Sequence, residues 1–373
     1  MDERGTRQGI LRRGLRAVGP VVWMGAGCVL GNAVNRDDAA RLYRKLRQGQ
    51  MKRITGKLRV RGQDRVLVRW AEADPALEKV QWDEIPAVRR RWLTVGTEGE
   101  EVSFPEHVAR TWLAGRPGLR ALSPGCGTGV WEIDWAQLGV FENITGIDIS
   151  PEQIDRASQL AKDAGLDHVL SYRVADARQV LREEEGQVDV VLVLQALHHF
   201  RHVEQTMGLI ARALRPCGLL IFDDYVGPSK YQWTKAQMRA ANALLAELPA
   251  ERRMQNDGRI KQRVLRPSLL SMRLDDPGEA AESAALMPSL HRHFTIEEEH
   301  SYGSILHLAL HDIAHNFLGD DPATAEVAEQ CIAAEEQALA RLGSNFVLAV
   351  CRPRDKPGTG STPERVTAGE KRP

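Results

Sequence analysis

Ser123-Pro124-Gly125-Cys126-Gly127-Thr128-Gly129 decides the reading of this chain because of what stands on either side of it. Before it, Arg120-Ala121-Leu122 reads as the end of a short strand. After it, Val130 to Leu138 reads as the start of a helix. Alternate glycines between a strand and a helix bring bare backbone close to a ligand, and the N–H groups of the helix's first turn point at it. Asn143-Ile144-Thr145-Gly146-Ile147-Asp148 then forms a second short strand ending in a carboxylate, which suits the two hydroxyls of a ribose. The pairing predicts a nucleoside-containing cofactor.

A Gly-rich turn alone is a weak signal, so the pattern that follows carries the reading. Ser171-Tyr172-Arg173-Val174-Ala175-Asp176 is a third strand with a terminal Asp. Val188-Asp189-Val190-Val191-Leu192-Val193-Leu194 is an almost unbroken apolar run, as expected of a central strand buried on both faces. Ala213-Leu214-Arg215-Pro216-Cys217-Gly218-Leu219-Leu220-Ile221-Phe222 ends a helix at Arg-Pro and enters a fifth strand. Helical segments over 151–164, 177–184 and 202–214 separate these strands. Such alternation predicts a parallel, doubly wound α/β sheet.

In this order the residues resemble the class I S-adenosylmethionine-dependent methyltransferases, closely over 118–226. The resemblance implies a Rossmann-like seven-stranded sheet with an antiparallel last strand, S-adenosyl-L-methionine as cofactor, and methyltransferase activity. It also implies that Gly125, Gly127 and Gly129 line the methionine end, that Asp148 takes the ribose hydroxyls, and that Ile149 flanks the adenine. Asp176 with Ala177 would meet the adenine amino group. Ser123 and Cys126 in the loop and Gln195 after strand four complete the expected cofactor contacts. A nicotinamide-dependent oxidoreductase is the rival reading. It prefers G-x-G-x-x-G, whereas here Gly129 falls two residues after Gly127. A non-catalytic cofactor-binding protein is a third. One departure stands out: the resemblance calls for Asp or Glu two residues before Gly125, and this chain has Ser123. The hydroxyl accepts a hydrogen bond but brings no charge, so either affinity is weaker or another acid compensates.

The 373 residues exceed what one such sheet needs, so additions to the core are expected. They divide into an N-terminal extension over 1–117, the core over 118–226, a substrate cap over 227–292, closing strands and helices over 293–352, and a disordered tail over 353–373. Lys+Arg and Asp+Glu balance at 50 each, which argues against a nucleic-acid substrate. Five cysteines show neither CxxC pairing nor zinc spacing, consistent with a cytoplasmic protein. Ala17 to Val34 is the one apolar stretch that suggests membrane contact, but its glycines, Pro20 and Asn32 make it a weak anchor. Within the extension, Asp37 to Arg53 is helical in pattern and Lys57 to Trp70 alternates like a hairpin. Trp70, Trp82, Trp92 and Trp112 read as apolar anchors against the core.

Ligands of such sheets bind beyond the strands' carboxyl ends, so Gln195-Ala196-Leu197-His198-His199 and Asp223-Asp224-Tyr225 should border the reactive methyl. His198 or His199 is a candidate base for a hydroxyl nucleophile, against a structural role in shaping the pocket. Asp224 would orient or deprotonate the substrate, against a salt bridge or cap. Tyr225, Tyr231 and Trp233 would form a wall beside the sulfonium or an apolar acceptor. The long cap points to a small-molecule, sugar or lipid-linked acceptor. A helix over 303–317 would put His307, His311 and His315 on one face. Substrate lining is preferred there over a metal site, because zinc draws ligands from more than one element; no metal is expected.

Overall fold

The computed structural model describes residues 80–95, 97, 102–275 and 278–354. Seven strands form one sheet: β1 (Leu119–Pro124), β2 (Phe141–Asp148), β3 (Leu170–Val174), β4 (Val188–Leu194), β5 (Leu214–Tyr225), β6 (Phe294–Tyr302) and β7 (Phe346–Pro353). Their order is β3-β2-β1-β4-β5-β7-β6. The first five pair in parallel, and β7 lies antiparallel between β5 and β6. The carboxyl ends of β1, β2, β4, β5 and β6 therefore share one rim. The strand order reverses between β1 and β4, the switch point at which such sheets hold ligands.

The apolar run of β4 explains its central place, for all seven of its residues are buried. Its side chains alternate: Val191 and Val193 enter one core, while Val190, Leu192 and Leu194 enter the other. The first core is covered by α5 (Ala177–Glu183), α6 (Val203–Ala213) and α9 (Leu286–His293). The second is covered by α2 (Phe104–Thr111), α3 (Val130–Ala136) and α4 (Pro151–Asp163). A third cluster joins α1 (Pro86–Leu93), α7 (Lys235–Glu247), α10 (Leu306–Ala309) and α11 (Pro322–Leu342). Local signals set several starts. Thr234 and Gln237 form a capping box at α7, and Asp321 accepts from the Thr324 N–H at α11.

Some expectations change. The helix expected over 303–317 is broken: α10 is a single turn, Asp312 takes φ +66°, and a 3₁₀ turn spans Ala314–Phe317. A residue held in the left-handed region cannot continue a right-handed helix. The cap over 227–292 contains α8 (Leu269–Asp275) and most of α9, where Pro288 is tolerated in the first turn. β5 begins at Leu214, so Arg215-Pro216 belongs to the strand, with a register irregularity between Val188 and Val190 opposite it. Trp82, Trp92 and Trp112 pack against the core clusters as expected, with Trp82 and Trp92 edge to face at 4.0 Å. The segments 17–34, 37–53 and 57–70, together with the tail beyond Arg354, lie outside the described residues. Among the described residues, no helix is long and apolar enough to cross a membrane.

Candidate active site

The glycine loop leaves β1 with Gly125, Gly127 and Gly129 all at positive φ. At Gly125 a Cβ would meet Ala196 Cβ and Phe200 Cε1 at 3.1 Å, so the loop lies tight against the segment after β4. At Gly127 a Cβ would meet nothing within 4 Å; there the bare backbone faces open space. Asp148, at the end of β2, accepts the Gly127 N–H at 3.1 Å through Oδ2 and the Ser150 N–H at 2.9 Å through Oδ1. Its carboxylate thus braces the loop from the neighbouring strand. Burial raises its pKa, against the lowering effect of the backbone N–H groups and of His199. An open glycine backbone with a half-buried carboxylate at its side fits S-adenosylmethionine.

The other expected cofactor residues divide. Ile149 is half-buried, and Ala177 is buried at the head of α5. Asp176 caps α5 by accepting from the Arg178 N–H at 2.9 Å, and it also pairs with the Arg178 guanidinium. Gln195, at φ +53°, donates through Nε2 to Asp223 Oδ1 at 2.7 Å and to Tyr302 Oη at 2.9 Å. Cys126 is buried, and burial, with Glu132 and Asp148 nearby, pushes its thiol far above its usual range. Ser123 is also buried, and its hydroxyl donates to Glu132 Oε1 at 2.5 Å.

Strands four and five bring His198 and Asp224 together. Asp224 is fully buried. Its Oδ2 accepts the Leu197 and His198 N–H groups at 2.6 and 3.3 Å, and its Oδ1 accepts the Tyr225 N–H at 2.8 Å. His198 Nδ1 lies 2.5 Å from the same Oδ1. A carboxylate gathering three backbone N–H groups is an acceptor, so Nδ1 carries the proton toward it and Nε2 becomes the basic nitrogen. Nε2 stands 3.7 Å from Glu279 Oε1, and His199 Nδ1 stands 3.6 Å from Glu279 Oε2. Tyr231 donates its hydroxyl to Glu279 as well. His198, His199 and Glu279 each offer one ligand atom, all within 4.8 Å of one another.

Tyr225 is placed otherwise than expected of a catalytic group. It is buried, with its hydroxyl donating to the Pro228 carbonyl at 3.2 Å, and burial drives its pKa far up. It supports the wall in which Tyr231 and Trp233 stack at 5.1 Å. His307, His311 and His315 do not form one helix face, since the helix stops between them. His307 packs among Trp82, Tyr225, Trp233 and Phe346, where burial, with His311 adding, depresses its pKa to about 3. The His311 side chain is 64% exposed.

Sequence reasoning missed Glu132, Glu279 and Tyr302. Glu132 left little trace, as one of two acids, with Asp134, among Val130, Trp131, Ile133 and Trp135. Glu279 left none, as it lies in a polar stretch 80 residues from His199 that only folding brings near.

An antiparallel β7 between β5 and β6, a glycine-walled switch point and a rim of His198, His199 and Asp224 define a methyltransferase-type α/β domain. The all-parallel order 3-2-1-4-5-6 of dinucleotide-binding sheets does not contain that strand. Residues 122–222 match the family described as "Methyltransferase domain". The chain is 36% identical over 104 residues to a ubiquinone biosynthesis O-methyltransferase of Caulobacter sp. (strain K31), covering 28% of this chain and 40% of that protein. It is 36% identical over 111 residues to the 27-O-demethylrifamycin SV methyltransferase of Amycolatopsis mediterranei (strain S699), covering 30% and 40% respectively. Among solved structures, that of the 4+2 cyclase SpnF aligns with a TM-score of 0.39 at 20% identity, covering 66% of this chain and 79% of that one. The matched stretch thus spans about two fifths of the length of these two curated relatives. Over residues 122–222, and in its strand order, the chain is similar to the class I S-adenosylmethionine-dependent methyltransferases.

Proposed function

We propose that this chain transfers the methyl group of S-adenosylmethionine to an oxygen of a small molecule, with His198 as general base and Asp224 as its orienting partner. The observation that carries the reading is the buried His198–Asp224 pair, 2.5 Å apart, at the rim beside the glycine loop. Bound there, the cofactor supplies a methyl carbon activated by a sulfonium. Asp148 and the backbone of Gly125 to Gly129 would hold it, with Asp176, Ile149 and Ala177 at the adenine end. Orientation of the reactants contributes about 7–11 kcal/mol, and a positioned base adds about 10²–10⁴-fold. His198 Nε2 takes the acceptor's hydroxyl proton, while Asp224 holds the ring and stabilises the imidazolium.

Both of these relatives are methyltransferases by name, and that of Caulobacter acts on oxygen. The stacked Tyr231–Trp233 wall suits an acceptor with an apolar or aromatic face. Hydroxyls of sugar or lipid-linked intermediates fall within the same class, and we place the reaction in the cytoplasm. A second reading rests on the His198–His199–Glu279 cluster, where a divalent cation would polarise the hydroxyl instead.

Calorimetry with S-adenosylhomocysteine and NAD, followed by turnover against a panel of hydroxylated small molecules, tests the proposal. His198→Ala should lower kcat by about 10²–10⁴ while S-adenosylhomocysteine binds as before. A loss under about threefold would remove the base. Activity lost to a chelator and restored by one divalent ion would favour the second reading.

A further inference from the structure

Below the glycine loop lies an acid that the proposed chemistry does not use. Glu132, in the first turn of α3, is 1% exposed. Ser123 donates its hydroxyl to Oε1, whereas Oε2 is buried with no hydrogen-bond partner. A buried carboxylate oxygen without a partner is costly. The groups facing Glu132 are Ser123 from β1, Cys126 from the loop, Asp148 from β2 and Tyr172 from β3. None of these is a cation, and the Tyr172 hydroxyl is itself buried without a partner. The loop above faces open space at Gly127. The site therefore holds a buried acid fixed by a short hydrogen bond, with no cation among the described groups that face it.

We propose that Glu132 is the acid of the cofactor loop in this chain: a positioning residue, held by Ser123, whose carboxylate favours the positively charged methionine end of S-adenosylmethionine. The inference rests on the cofactor reading above and goes beyond it. It also explains Ser123, which stands where the resemblance calls for an acid. The carboxylate has moved nine residues along to the helix, and the serine hydroxyl ties it back. Through a low-dielectric loop one unit charge acts strongly on another. The sulfonium gives S-adenosylmethionine one positive charge more than S-adenosylhomocysteine, so Glu132 should discriminate between them. Burial, opposed by the Ser123 hydrogen bond and assisted by Asp148, pushes Glu132 up to about 7. A cation arriving above the loop lowers that value again, so binding near neutral pH releases a proton.

The test is calorimetry of wild type, Glu132→Gln and Ser123→Asp/Glu132→Ala with both ligands, at pH near 7 in two buffers of different ionisation enthalpy. Glu132→Gln should weaken S-adenosylmethionine by about tenfold, weaken S-adenosylhomocysteine less, and abolish proton release. The double variant, which returns the acid to the strand, should recover most of the lost affinity. If Glu132→Gln does not fold, Glu132→Asp keeps the charge and withdraws it from Ser123. It should show an intermediate loss of affinity, and unchanged affinity there overturns the proposal. Wild-type affinities and proton release in Glu132→Gln overturn it too, leaving the cofactor reading standing. A wild type that binds neither ligand overturns both.

Discussion

The two halves of the rim are built by different means. On the cofactor side, the glycine loop, β2 and the start of α4 are tied by bonds that span no more than 21 residues. Asp148 reaches Gly127 and Ser150, and Ser123 reaches Glu132. On the acceptor side, His198 is held by Asp224 from the next strand, and Glu279 arrives from the cap 80 or more residues later. Gln195 is tied to Tyr302, 107 residues away. The first half is a set of local strand–turn–helix units; the second needs β4 paired with β5 for the His198–Asp224 pair, β6 for Tyr302 and the cap for Glu279. Damage to the first should therefore act on cofactor affinity alone, and damage to the second on acceptor turnover.

The sharpest way to break that division is Asp148→Ala. The substitution removes an acceptor for the proposed ribose and also the brace on the Gly127 N–H. Loss of charge-assisted hydrogen bonds costs about 1.5–3 kcal/mol, so S-adenosylhomocysteine should bind about 10- to 150-fold more weakly by calorimetry. KM for the acceptor, measured at saturating cofactor, should hardly move. Unchanged affinity would sink the assignment of the cofactor half, and a large change in acceptor KM would show the halves to be coupled.

The same contrast decides what was legible beforehand. Glycine and terminal Asp signals at the ends of β1, β2 and β3 mark positions where backbone geometry demands a residue type, and period and turn chemistry expose them. The almost unbroken apolar run of β4 announced its central place. The His198–Asp224 pair was legible as two rim positions, though not as a contact, because its geometry depends on the pairing of β4 with β5. Glu279 was invisible, since nothing local distinguishes it from other acids of a polar cap. The three-histidine face failed for a different reason. The spacing of four was real, but Asp312 in the left-handed region breaks the helix that would have aligned it.

Each half also holds an acid that burial shifts toward neutral pH. Burial raises Glu132 to about 7 in the cofactor half and Asp223 to about 7 in the acceptor half. Unfolded, these groups titrate near 4.5 and 3.8. Between those values and about 7 the native state holds protons that the unfolded state has released, so the unfolding free energy falls as pH rises. Their contribution is full below the unfolded values and is lost as pH climbs through about 7. Each acid adds a slope of at most about 1.4 kcal/mol per pH unit. Denaturant titrations from acid to neutral pH should show the decline in wild type. Glu132→Gln and Asp223→Asn should each flatten part of it, additively if the halves are independent. A wild-type profile that is level across this range would mean that neither acid is held protonated.

The smallest expected effect is that of His311→Ala. On a continuous helix His311 would stand between His307 and His315 and share their environment, so its loss would raise the acceptor KM. In the folded chain α10 ends at Ala309, and the His311 side chain is 64% exposed with its Nε2 3.5 Å from Asp312 Oδ1. A surface ion pair between sequence neighbours contributes between nothing and about 1 kcal/mol. The backbone of His311 does have work: its carbonyl accepts from Lys261 Nζ at 2.7 Å, a bond that the alanine variant keeps. Acceptor KM and kcat should therefore match wild type within about twofold, and stability should shift by no more than about 0.5 kcal/mol. His307→Ala makes the counterpart. It empties a position enclosed by four aromatic rings and should destabilise by about 2–4 kcal/mol, in the range for large-to-small core substitutions. A raised KM in His311→Ala with His307 intact would put the segment back against the acceptor and move the boundary of the acceptor half out to the turn after α10.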